Sequence, residues 1–392
     1  MPYSEAFKND ISQPKYDTQN QVYFTVFKLL EEANELLKEG AIDGGADLIY
    51  QGRANQWRKL ANSLMARYYT RLNKVNTFEA GFEIDVTGGL KKIFGNPADY
   101  PMFESNEDDA QLMYTGSQPY VHPFYSNRYL DNREDFAVSK NLVDLLQIKD
   151  ANDNISFIDK RLYVYAKPTP QSMDEEENIP VEYVGQINGA TAPPALATIS
   201  RIGNIFRDQP AGKSFWMTYS ELQFIKAEAA LNGITDVGGS PQFFIEEGIT
   251  SSFMKQFSEA SAYQAPIVPV NGHEIKTVAE DAAEVIARLD YSKEGGIIRV
   301  IMEQKYISIF SNGIEGYAEL RRTGWPAIDV VEGGRKWPGK GLPNRFPYPI
   351  SESRTNSANY NKAVNDLNIE QGNLIYGGKM WFTNNTDINY KN

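Results

Sequence analysis

Two carboxylates seven positions apart, Glu221 and Glu228, and the Arg321, Arg322 pair beside Glu315 and Glu319 are groups in this 392-residue chain whose spacing invites a chemical reading. A carboxylate pair does acid/base work when it flanks a scissile bond, and adjacent arginines can clamp an anion. Here both arrangements have a structural reading. Glu221 and Glu228 share one predicted helix, as a cap residue and a structural partner. The two arginines close a short helix, where cations complement its dipole and pair with Glu315 and Glu319. His122 and His273 sit in no recognisable motif, and cysteine is absent, which removes thiolate nucleophiles, disulfides and Cys-based metal sites. Asp108 and Asp109 lack the spacing of a calcium loop. We therefore assign no catalytic residue, metal ligand or cofactor.

Aromatic side chains carry the functional signal. There are 23 Tyr, 20 Phe and 5 Trp, and an excess of Tyr over Phe suits rings lying half in water, with a face free for stacking. They concentrate in residues 95–135, a long stretch of weak periodicity in which Tyr100, Phe103, Tyr114, Tyr120, Phe124, Tyr125 and Tyr129 alternate with polar residues. Long loops in compact proteins are commonly functional or disordered, and so many rings argue against disorder. Tyr120 and Tyr125 are candidate stacking platforms, and Asn127, Arg128 and Gln118 are candidate hydrogen-bond partners for sugar hydroxyls or peptide amides. Trp337 and Trp381, in Pro- and Gly-rich or polar surroundings near the carboxyl terminus, are further candidates.

Helices must position these loops. Val22, Val26, Leu29, Ala33 and Leu36 share a helical face that closes at Gly40, and Trp57, Leu60, Leu64, Tyr68 and Leu72 form another after a short polar connection. Phe136–Ile148 reads as a helix, and 181–190 as short strand-like runs. Trp216–Gly233 carries a Thr218/Glu221 capping box, and further helices cover about Phe243–Ala262, Thr277–Leu289 and Ile298–Ser311, then a short one to Gly324. The chain is read as a single, mainly α domain over 1–392. Helical scaffold occupies about 20–75 and 216–325, and loop-rich parts at about 95–135 and 326–392 form the candidate ligand or partner surface.

Composition narrows the partners. A net charge of −12 opposes binding to a phosphate backbone, so nucleic acid is dismissed. The same charge disfavours an anionic membrane surface, and no apolar run is long enough to span a bilayer. The first ten residues carry no basic and apolar segments of a signal peptide.

Several strings, in order, resemble the SusD/RagB family of bacterial outer-membrane nutrient-binding lipoproteins: YDTQNQVYFTVFKLLEEANELL, W-R-K-L-A-N-S-L-x-x-R, V-S-K-x-L-V-D-L-L, D-x-R-L-x-x-Y-A, T-Y-x-E-x-x-F-x-x-A-E-A, EQKYISIFSNGIEGYAELRRTGWPAI and P-x-R-x-x-Y-P-x-x-E-x-x-x-N-x-x-N-Y. Where relatives have Asp-Pro-Arg, this chain has Asp159-Lys160-Arg161. The resemblance implies a SusD-like fold, with tetratricopeptide-like helix pairs and a loop-rich part with short strands. It also implies non-catalytic capture of oligosaccharide or oligopeptide at the outer membrane and delivery to a SusC-like TonB-dependent transporter. The family's lipidated cysteine and leading portion are missing, so a truncated chain is expected, with attachment to the membrane only through a lipid anchor absent here. The alternatives are a protein-interaction scaffold of helix pairs without a small ligand, and an acid/base glycosidase using some of the 51 carboxylates.

Overall fold

A computed structural model describes residues 2–177, 179–190, 192, 194–328, 343–367, 378 and 380–383. Trp337 lies outside the described residues. In chain order, the helices before the aromatic loop are α1 (Gln19–Leu36), α2 (Ala54–Arg71) and α3 (Val86–Gly95). Strand β1 (Ala110–Met113) leads into the loop, which contains the single turn α4 (Pro123–Tyr125). There follow α5 (Lys140–Leu146), β2 (Gln147–Lys149), β3 (Ile155–Ile158), α6 (Leu162–Tyr165), α7 (Asn204–Arg207) and β4 (Lys213–Met217). The remaining helices are α8 (Tyr219–Leu231), α9 (Pro241–Ala262), α10 (Val278–Ala287), α11 (Gly296–Ser308), α12 (Gly313–Thr323), α13 (Glu352–Thr355) and α14 (Ser357–Asp366).

Local chemistry sets many of these boundaries. Thr18 and Gln21 form a capping box on α1, and Thr277 and Glu280 form one on α10, each satisfying two backbone N–H groups reciprocally. Gly324, in the left-handed region at φ 76°, ends α12. The box expected at Thr218 and Glu221 is only half formed. Thr218 Oγ1 accepts from the Glu221 N–H, but the Glu221 carboxylate is taken by Arg67 instead. Two further expectations need correction. Trp216 belongs to β4, which pairs antiparallel with β1, so residues 110–113 of the supposed loop are a strand. The 181–190 run makes an isolated bridge, Gln186 to Ser139, and no strand.

Helix α8 is the hub, packed on α9, α11 and α2. Apolar burial supplies the adhesion. One cluster joins α1–α3 to α8 through Phe27, Met65, Leu72, Ile93, Leu222 and Ile225, and another joins α8–α11 through Phe224, Ile245, Ile249, Phe253 and Ile301. Between them lies a set of buried charges. Arg67 donates to both Glu221 oxygens at 2.9 and 2.6 Å, and Arg322 donates to both Glu228 oxygens at 2.6 and 2.7 Å. Arg322 also pairs with Glu319, and Arg71 pairs with Glu315 and Glu319. Lys305 stands 3.8 Å from Glu221 and 3.7 Å from Glu319. The Arg322 and Glu319 pair is the expected salt-bridged helix end, but Glu315 reaches α2 instead, and Arg321 lies over the Tyr317 ring and donates to the Asn344 carbonyl.

Residues 114–136 are anchored by His122. Its ring accepts the Phe124 N–H and packs edge-on to Tyr114, while the His122 backbone N–H donates to the Pro210 carbonyl at 2.9 Å. Gly212 lies so close that a Cβ there would sit 3.1 Å from the imidazole. Burial pushes the His122 pKa down to about 4.

Two predictions follow from the buried charges. Replacing Arg322 with Met leaves Glu228 and Glu319 short of a partner, and denaturant unfolding should show a loss of about 3–5 kcal/mol. Burial alone would raise the Glu319 carboxyl, but Arg322, Lys305 and Arg71 outweigh it and hold it far below the ordinary range. A carboxyl depressed in the folded state contributes stability above its unfolded value, about 4.3, that is lost as pH falls below it. Glu319→Gln should therefore flatten the acid limb of stability against pH below that value. His122 titrates higher. The unfolded imidazole takes up a proton near pH 6.5 and the folded one only near 4, so stability falls as pH drops between them, by an amount on the order of 3 kcal/mol. His122→Gln should remove that slope, as read from thermal melts across the window.

Candidate functional site

Three separate segments, with Glu134 and Tyr183, line a groove of about 780 Å³. The first is α6 and the extended run behind it, from Tyr163 to Met173. The second runs from Leu196 through α7 to Gln209, and the third, Gln264–Val268, follows the end of α9. Backbone bonds lock the first two together: Lys167 N–H donates to Arg201 O, and Gly203 N–H to Tyr165 O, both at 2.8 Å. Gly203 is required there, because a Cβ would fall 1.9 Å from the Val164 carbonyl oxygen.

The groove has an aromatic floor and an apolar lip. The rings of Tyr163 and Tyr183 lie 5.5 Å apart, and both residues are almost wholly buried. Their hydroxyls donate to the His273 carbonyl at 2.8 Å and the Val268 carbonyl at 2.6 Å. Burial raises both phenols, Tyr163 to about 12, so each remains a neutral donor. Met173 and Leu196 are exposed at the lip, at 50% and 56%. Such a surface packs against C–H faces, and the surrounding backbone and Gln side chains supply polar contacts.

Charged residues line one part of the rim. Glu134 receives Arg128, Arg201 and Arg207 at 2.7, 3.0 and 2.6 Å, and Asp208 receives Lys167 at 3.0 Å and Arg207 at 2.9 Å. Tyr129 Oη donates to Asp208 at 3.0 Å, which ties the aromatic loop to this rim.

The aromatic loop thus stands beside the groove. Its residues 123–130 wind as one continuous helical turn, on which the Tyr125 and Tyr129 rings lie 4.8 Å apart with the Arg128 guanidinium over Tyr129. Among the candidates from sequence, Tyr125, Asn127 and Arg128 are brought together on this turn. Asn127 is engaged within the loop, donating to Asp135 at 2.8 Å, and Arg128 with Glu134, so both shape the turn. Tyr120 occupies the tip of the preceding Ser117–Tyr120 turn and is 68% exposed. Trp381 is elsewhere. Its ring packs against Phe78 and Tyr23 at 5.7 and 6.0 Å, and its Nε1–H donates to Thr77 O, so the indole braces α1 and the 75–82 segment. Sequence reasoning passed over Arg201, Arg207, Asp208 and Lys167, which belong to no motif. The sequence signal for three of them was positive charge inside an acidic chain, and Asp208 carried none.

The comparisons with known proteins agree with this architecture. A SusD-like family model, described as starch-binding and associating with the outer membrane, matches residues 1–349. A chitin-binding protein of known structure is 25% identical, with TM-score 0.73 over 98% of this chain and 76% of its own. A SusD homologue from Bacteroides fragilis is 24% identical, with TM-score 0.70 over 98% of this chain and 79% of its own. A chitin-binding SusD homologue from Flavobacterium johnsoniae is 22% identical, with TM-score 0.73 over 98% and 77%. No curated protein matches the chain. No described helix is long and apolar enough to cross a membrane. With its family model covering most of its length, and with a mainly helical fold shared with SusD homologues, the chain belongs to the SusD-like family.

Proposed function

We propose that this protein captures oligosaccharide at the outer membrane, without altering it, and delivers it to a SusC-like TonB-dependent transporter. The observation that carries the reading is the placement of a turn bearing the exposed Tyr129, packed on the half-buried Tyr125, at the rim of a groove large enough for several sugar rings. Sugars present C–H faces that stack on Tyr129 and pack on Met173 and Leu196, while their hydroxyls bond to polar groups along the walls. Family membership supports a nutrient-binding role, and chitin-binding relatives favour saccharide over peptide.

Binding without turnover fits the rim's chemistry. A glycosidase needs one carboxyl group that holds a proton for the leaving oxygen. At the rim, Glu134 and Asp208 each receive two or more cations, the arrangement of structural bridges. The lipid anchor and the transporter contact belong to this proposal through family membership alone.

Isothermal titration calorimetry against an oligosaccharide and oligopeptide panel tests the reading. We expect a saccharide to bind with a Kd in the micromolar range, on the order of 8 kcal/mol. Tyr129→Ala and Leu196→Asp should each weaken it about tenfold, or about 1.4 kcal/mol, with the thermal melt retained. Trp381→Ala should lower the melting temperature and leave affinity unchanged. Silence of the whole saccharide panel, or indifference of affinity to both groove variants, would overturn the assignment, and product formation would replace capture with catalysis.

A further inference from the structure

The rim charges do not balance. Arg201, Arg207 and Lys167 on the groove lining, and Arg128 just outside it, make all their described ion pairs with only two carboxylates, Glu134 and Asp208. Four cations sharing two anions leave an excess of positive charge on a protein whose overall net charge is −12. The buried set in the scaffold is different, with Arg67, Arg71, Lys305 and Arg322 facing Glu221, Glu228, Glu315 and Glu319. Cations are therefore matched one for one where no ligand can reach, and are in surplus where the groove opens.

These rim cations are held in place. Arg201 is 6% exposed, and its guanidinium also donates to the Leu196 carbonyl at 3.3 Å. The Arg207 side chain is 13% exposed, and Lys167 projects further, at 34%. A partly desolvated cationic surplus is costly when empty and favours an anion that completes it, and guanidinium geometry suits carboxylate or sulfate oxygens. The acidic run Asp174–Glu177 adjoins Met173, but it is exposed to water, which screens it.

We infer that the groove selects saccharides bearing an acidic substituent, a uronic carboxylate or a sulfate, seated against Arg201, Arg207 and Lys167. This rests on the reading that the groove holds a saccharide and adds the ligand's charge. The acidic group would lie at the charged part of the rim, with neutral portions of the chain running over the Tyr163 and Tyr183 floor past Met173 and Leu196.

A glycan array that pairs neutral oligosaccharides with uronate-containing and sulfated ones of equal length is the first probe. The best binder and its neutral counterpart, the methyl ester or desulfated form, then go to calorimetry at low and high salt. We expect acidic members to dominate the array and to bind at least about tenfold tighter than their neutral counterparts, the gap shrinking as salt rises. The uronate and sulfate arms show which oxyanion is preferred. Lys167→Gln and Arg207→Gln should each reduce the gap several-fold, and Asp208→Asn, which enlarges the cationic surplus, should widen it. Lys167→Gln alters the least buried of the three side chains, so it reports even if Arg207→Gln fails to fold. Neutral saccharides binding as tightly as acidic ones would overturn the charge preference and leave capture standing. An acid preference untouched by both cation variants would move it away from this rim. An array with no saccharide binder at all would overturn capture itself.

Discussion

Everything in this molecule hangs on charges taken out of water between α2, α8, α11 and α12. Hydrophobic burial is non-directional and would tolerate helices sliding past one another. Bidentate ion pairs do not tolerate it. Arg67 meets Glu221 and Arg322 meets Glu228 with two short bonds each, while Lys305 and Glu319 lie between the two pairs. Shifting any one helix by a turn would strand a buried charge, which costs several kcal/mol. The set therefore acts as a register device, whatever its net contribution to stability.

That register reaches the groove along a short path. Arg67 also donates to the Trp216 carbonyl at 2.8 Å, which fixes the end of β4 next to the start of α8. Strand β4 holds β1, and β1 leads through the Ser117–Tyr120 turn to the aromatic turn. His122 then closes that loop against Pro210, and Tyr129 closes it against Asp208, both beside α7. A loop of this length would otherwise lose much of its affinity to ordering its side chains on binding. Here the scaffold has already ordered them.

The helical half was legible because its determinants are local. Period-3.6 apolar faces and the Thr18 and Thr277 boxes are written within a few residues of one another. The aromatic turn was legible in part, since ring density over 95–135 pointed to it. The charge set was misread at Glu221, where a local cap motif competes with Arg67, a partner 154 positions away in the chain. The groove was invisible for the same reason. Its walls come from segments around 163–173, 196–209 and 264–268, and only bonds such as Gly203 to Tyr165 bring them together. Trp381 looked like a platform because it was read as an exposed indole in a loop, yet it packs against Tyr23 and Phe78, which lie far along the chain.

These distances explain why recognising the family does not name the ligand. The strings that carry the resemblance, T-Y-x-E-x-x-F-x-x-A-E-A and the segment ending E-L-R-R-T-G, contain Glu221, Glu228, Glu319 and Arg322. They describe the buried charge set, so they specify how the helices are locked. Arg201, Arg207 and Asp208 lie in none of the strings, and Lys167 falls just after one. The rim pairs, such as Arg207 with Glu134 and Lys167 with Asp208, join segments that these strings do not contain, so the scaffold signature carries no information about the rim's charge or rings. What the groove takes must therefore be read from the rim, where cations outnumber carboxylates.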